Sequence, residues 1–152
     1  MNHRHPAQRL GPRQVTFLIV DDDDVDRKGL LRAMKQLRIA NPVVEARDGI
    51  EALALLRGED GAERVDPPYI ILLDLNMPRM NGLEFLDAVR SDPELKPAVI
   101  FVLTTSMDEN DRLAAYGRNI AGYIIKSDAG NSFREALGLI DHYWRVVELP
   151  GG

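Results

Sequence analysis

The sequence predicts an α/β domain: a doubly wound, three-layer (βα)5 sandwich built on a parallel five-stranded sheet. Three observations carry that prediction. Short apolar runs alternate with amphipathic segments five times, without an internal repeat. Runs such as residues 70–73 and 99–103 are apolar throughout, as strands covered on both faces must be. Strand-then-helix order with right-handed crossovers puts helices on both sides of such a sheet.

Strands are expected over residues 15–20, 42–47, 69–73, 98–103 and 122–125. The first helix, 24–37, carries Leu30, Leu31, Met34 and Leu37 on one face. Asp23 or Asp24 is placed to cap it, and Asp26 to complement the dipole of its first turn. The second, 49–56, offers Ile50, Leu53 and Leu56; the third, 82–90, offers Leu83, Phe85, Leu86 and Val89. Residues 81–82, Asn-Gly, form a turn signal ahead of the third. A fourth helix is expected over 109–117 and a fifth over 132–147, while the Gly- and Pro-containing stretch 58–68 reads as a surface loop.

At 152 residues the chain suits one core: a leader over 1–14, a domain over 15–148 and a short tail over 149–152. Apolar residues at 45% and charged residues at 28% match a globular composition. A net charge of −5 argues against a general nucleic-acid binder, which needs a basic face. No run reaches the length of a membrane span, and the leader, although it holds Arg4, Arg9 and Arg13, has no apolar core of a secretory signal. The absence of cysteine removes disulfides, thiolate metal sites and thiol nucleophiles, and fits a cytoplasmic setting. His3, His5 and His142 are scattered and suggest no metal site.

Ligands of open α/β sheets collect at the carboxyl ends of the strands. There this chain has Asp21 to Asp24 after the first strand and Asp74 with Asn76 after the third. Thr104, Thr105 and Ser106 follow the fourth, and Lys126 follows the fifth. Asp21, Asp22 and Asp74 converging at one edge repel one another unless a cation intervenes. An all-oxygen donor set with few loops suits Mg²⁺ retaining several waters. A calcium-hand loop is excluded, since the acidic run lacks the mid-loop glycine and has Arg32 where the closing glutamate belongs. The Thr104 hydroxyl and the Lys126 ammonium suit the oxygens of a phosphoryl group, with Asp74 as the nucleophile.

Residues 17–22 (FLIVDD), 72–78 (LLDLNMP) with Gly82, 103–104 (LT) and 122–126 (GYIIK) resemble the response-regulator receiver family. The resemblance covers the chain from about Val15 onward and implies a flavodoxin-like sheet of order 2-1-3-4-5. It implies that Asp22 ligates Mg²⁺ directly and Asp21 directly or through water, with Asp74 and the Asn76 backbone carbonyl completing the protein ligands. It implies that Asp74 accepts a phosphoryl group from a histidine kinase. Thr104 and Tyr123 resemble the switch pair that couples this chemistry to the surface of helix 4, strand 5 and helix 5. Asn76 and Ser106 occupy positions that tune phosphate lifetime in that family. Two residues depart from its pattern: Ser127 stands where proline follows the lysine, often through a cis bond, and Thr105 where a smaller residue is commoner.

The segments 103–106 (LTTS), 126–127 (KS) and 143–150 (YWRVVELP) resemble a narrower group, single-domain regulators associated with phytochrome-type kinases. That resemblance implies a homodimer through the last strand and helix. The last helix supports it independently. Phe133, Leu137, Ile140, Trp144 and Val147 adjoin a second stripe of Ala136, Leu139, Tyr143 and Val146, wider than the ~100° arc of a core contact.

Two other readings stand beside this one. Residues 17–25 also fit the Asp-x-Asp-x-Val signature of haloacid-dehalogenase-like phosphatases, with Asp21 as nucleophile and Asp23 as general acid. The order of Asp74, Thr104 and Lys126 opposes it. A pseudo-receiver, a binding module that is never phosphorylated, is opposed by the intact set of acids, hydroxyl and lysine.

Overall fold

The computed structural model describes residues 14–126 and 131–151, and the side chains from residue 134 in the last helix. The leader up to residue 13, Ser127 with its bond to Lys126, and the Phe133 side chain lie outside the described residues.

The chain alternates β1 (Thr16–Val20), α1 (Asp24–Gln36), β2 (Val43–Ala46), α2 (Gly49–Arg57), β3 (Tyr69–Leu73), α3 (Gly82–Ser91), β4 (Val99–Thr104), α4 (Glu109–Tyr116), β5 (Gly122–Ile125) and α5 (Asn131–Val146). All four pairings are parallel and the order is β2-β1-β3-β4-β5. The predicted (βα)5 class and the strand order are both observed.

Because side chains alternate across a strand, each strand feeds two cores. Leu18, Val20, Ile71, Leu73, Ile100 and Val102 face α2, α3 and α4, where Leu53, Leu56, Phe85, Leu86 and Ala115 meet them. Phe17, Ile19, Ile70, Leu72, Phe101 and Leu103 face α1 and α5, against Leu30, Met34, Leu137, Ile140 and Trp144. Tyr143 of α5 stands edge-on to Phe101, with ring centroids 5.2 Å apart.

Local chemistry sets the boundaries. Asp23, and not Asp24, caps α1, its carboxylate accepting from the backbone of Val25 and Asp26. Asp48 caps α2, and Asn81 with Glu84 forms a reciprocal capping box on α3. Gly58, the first residue of the predicted loop, closes α2 in the left-handed conformation (φ 69°). Two predicted core positions are corrected: Ile50 is 43% exposed and Leu37 is 39% exposed. Ala52 takes the inward place on α2, and Leu37 lies just past the end of α1.

Register brings the strand ends level. Val20 pairs with Leu73, and Thr104 with Ile125. The Asp74 N–H donates to the Val20 carbonyl at 2.9 Å, and the Lys126 N–H to that of Thr104 at 2.8 Å. Asp21, Asp74 and Lys126 therefore leave the sheet at one height.

Candidate phosphotransfer and metal site

Asp21 and Asp74 each follow a buried strand directly and are themselves buried, whereas Asp22 is exposed. The three carboxylates approach one another within 4.8 Å. Lys126 closes the site from β5, its side chain only 5% exposed. Its Nζ donates to Asp21 Oδ2 at 2.8 Å, to Asp26 Oδ2 at 2.8 Å and to Asp74 Oδ2 at 3.4 Å.

The remaining carboxylate oxygens hold the neighbouring loops. Asp21 Oδ1 accepts from the N–H of Asp23 at 2.9 Å, and Asp74 Oδ1 from that of Asn76 at 3.3 Å. Burial, outweighing the contact with Lys126, pushes Asp21 up to about 6. Lys126 is pushed above its ordinary value: burial opposes its charge, but the hydrogen bonds to Asp21 and Asp26 prevail.

Three carboxylate oxygens at one edge, one of them on an acid held at about 6, form a donor set in want of positive charge. The residues fit a hard divalent cation. The exposed Asp22 and Asn76 border a cleft of about 450 Å³, also lined by Met77, Pro78, Asn81 and Asp111.

Thr104 is the last residue of β4 and fully buried. Its Oγ1 accepts from the Ser106 N–H at 3.3 Å. Tyr123 on β5 donates its hydroxyl to the Ser106 carbonyl at 2.9 Å, and Ser106 Oγ donates to Asp111 at 2.6 Å. Thr104 and Tyr123 thus hold the same loop from opposite sides. Burial raises the Tyr123 hydroxyl above its ordinary value, so it stays a donor at neutral pH.

Residues 17–137 match the sequence model of the response regulator receiver domain. The chain belongs to that family. Rcp1, a response regulator of Synechocystis sp., is 33% identical over 135 residues, covering 88% of this chain and 92% of Rcp1. The phosphorylated cyanobacterial phytochrome response regulator RcpA superposes with a TM-score of 0.82 at 33% identity, over 91% of this chain and 99% of that one. The Mn²⁺-bound form of Rcp1 gives 0.76 at 31% identity, over 90% and 99%. This receiver domain is thus close to phytochrome response regulators, and the phosphatase reading is not favoured. Asp23, its required general acid, is instead spent on the α1 cap.

Two partners of the receiver site escaped the sequence reading. Asp26, assigned to the helix dipole, also holds Lys126. Arg27, 6% exposed, donates to the Asp21 carbonyl at 2.6 Å and to Glu45 at 3.1 Å, and pairs with Asp24. A signal for both was present: each stands on the inward arc of α1, Arg27 at i, i+3 and i+7 with Leu30 and Met34, and Asp26 at i, i+4 and i+7 with Leu30 and Ala33. A charge on an apolar stripe needs a buried partner.

Proposed function

We propose that Asp74 is the phosphoacceptor of a two-component pathway, and that Mg²⁺ is held by Asp21, Asp22, Asp74 and the backbone carbonyl of Asn76. The observation that carries this reading is the meeting of three carboxylates within 4.8 Å, with Lys126 donating to Asp74. The donor is a phosphohistidine of a histidine kinase, of phytochrome type by the likeness to RcpA. A cytoplasmic setting suits a chain without cysteine.

An Asp74 carboxylate oxygen attacks phosphorus in line as the P–N bond breaks. The electron pair returns to the imidazole nitrogen, which takes a proton from solvent, and an acyl phosphate remains on Asp74. Mg²⁺, when bound, neutralises charge on the phosphoryl oxygens. Lys126 and the Thr104 hydroxyl donate to those oxygens from the protein side. Turning the Thr104 hydroxyl toward phosphate releases the Ser106 N–H, and Tyr123 of β5, bonded to the Ser106 carbonyl, follows. The chemistry thereby reaches the surface of α4, β5 and α5. The domain catalyses only its own phosphorylation and dephosphorylation.

With Mg²⁺ and acetyl phosphate, the wild type is expected to gain an acid-stable, base- and hydroxylamine-labile adduct that Asp74→Asn lacks. An adduct kept by Asp74→Asn and lost by Asp21→Asn would favour the phosphatase chemistry instead. No adduct in the wild type would leave a binding module.

A second copy of the chain is the partner best suited to the outer stripe of α5. Leu139 is 58% and Val146 67% exposed, and Leu113 of α4 and Ile125 of β5 add apolar surface. Light scattering is expected to give a dimer, strengthened or rearranged by beryllofluoride. A concentration-independent monomer in both states would end that assignment without touching Asp74.

A further inference from the structure

The ammonium of Lys126 has three protons, and three carboxylates take them. Asp21 and Asp74 belong to the strand ends. Asp26 does not: it lies in the first turn of α1, 30% exposed, with Oδ2 2.8 Å from Nζ. Its contact is shorter than the 3.4 Å between Lys126 and Asp74. Lys126 is thus held to α1, and it is not among the residues that line the cleft beside Asn76 and Met77.

We infer that Asp26 is a positioning residue that competes with the phosphoryl group for Lys126 and so restrains phosphorylation of Asp74. The inference rests on the phosphoacceptor reading given above. As phosphorus bonds to Asp74, its oxygens need a donor from Lys126. Asp26 keeps one of the three protons engaged throughout, since nothing in the transfer alters its own carboxylate. It also adds a negative charge next to the approaching anion. Both effects act in one direction, and removing the charge releases both.

The test measures the rate of Asp74 phosphorylation by acetyl phosphate at saturating Mg²⁺. In that reaction the P–O bond to acetate breaks and acetate leaves with the electron pair. Asp26→Asn is expected to react faster than wild type by about threefold or more, the kinetic equivalent of one partly screened ion pair. Asp26→Glu, which restores the charge, is expected to recover most of the slow rate. In a Lys126→Gln background the gain from Asp26→Asn is expected to shrink sharply, because the competition for Lys126 is gone and only the direct repulsion remains. A helix-dipole role alone changes the denaturation midpoint and leaves these rates alone. An Asp26→Asn rate equal to or below wild type overturns the inference while the phosphoacceptor reading stands. So does a gain that persists in full without Lys126. Absence of any adduct on the wild type overturns both.

Discussion

A Cβ placed on Gly82 would lie 2.6 Å from the Cα of Leu75 and 2.7 Å from the carbonyl oxygen of Asp74. Both are backbone atoms, which no rotamer change can move aside. The start of α3 therefore packs directly on the segment that carries Asp74, and the Gly82 N–H donates to the Leu75 carbonyl at 2.9 Å. Gly82→Ala is expected to cost about 1–3 kcal/mol, the usual penalty of overpacking. It is also expected to slow phosphorylation by displacing the Asp74 backbone. Urea denaturation reads the first effect and adduct formation the second; an alanine variant as stable as wild type would show that the contact relaxes freely.

Elements are joined near the site by the loop between β3 and α3. Arg79 donates from Nε to Asp48 Oδ2 at 2.7 Å, linking that loop to the cap of α2. Met80 packs on Gly49 beside it, close enough that a Cβ there would meet its side chain at 2.8 Å. Burial alone would raise Asp48, but the Glu51 N–H and the Arg79 guanidinium overcome it and hold the acid below its ordinary 3.8. A lowered folded-state value means the stabilisation is complete above about 3.8 and lost as pH falls through the lower, folded value. Because the Arg79 side chain is 58% exposed, the pair contributes about 0.2–1 kcal/mol. The stability gap between wild type and Arg79→Gln is expected to be constant near neutrality and to close in acid. A gap that persists after Asp48 is protonated would assign the effect to packing.

Across the whole molecule, the sheet presents two apolar faces, and polar staples fix the layers that cover them. Arg90, at the end of α3, donates to the carbonyls of Lys96 (2.6 Å), Ala98 (2.8 Å), Arg118 (2.8 Å) and Asn119 (2.9 Å). It joins α3 to the start of β4 and to the connection between α4 and β5. Arg90→Met keeps the stem and removes the donors, leaving four carbonyls, two of them in partly buried bonds, to find water. A loss of about 1–3 kcal/mol is expected, seen as a lower denaturation midpoint at unchanged slope. A midpoint within error of wild type would mean that solvent replaces all four bonds without cost.

The sequence alone determined the architecture, because burial on both faces writes unbroken apolar runs into β3 and β4 and leaves stripes on the helices. It also marked Asp21, Asp22, Asp74, Thr104 and Lys126, since the residue after each strand is readable once the strand is. Only the tertiary structure decided which of Asp23, Asp24 and Asp26 does what: three adjacent or nearly adjacent acids look alike until a helix turns one to its own amides and another toward Lys126. The same holds for Arg90, whose acceptors are backbone carbonyls brought together by folding, and for the bond that Arg27 makes to the Asp21 carbonyl. A carbonyl is present at every residue, so its partner cannot be read from residue type. Distance in space, set by strand register and helix rotation, makes that choice.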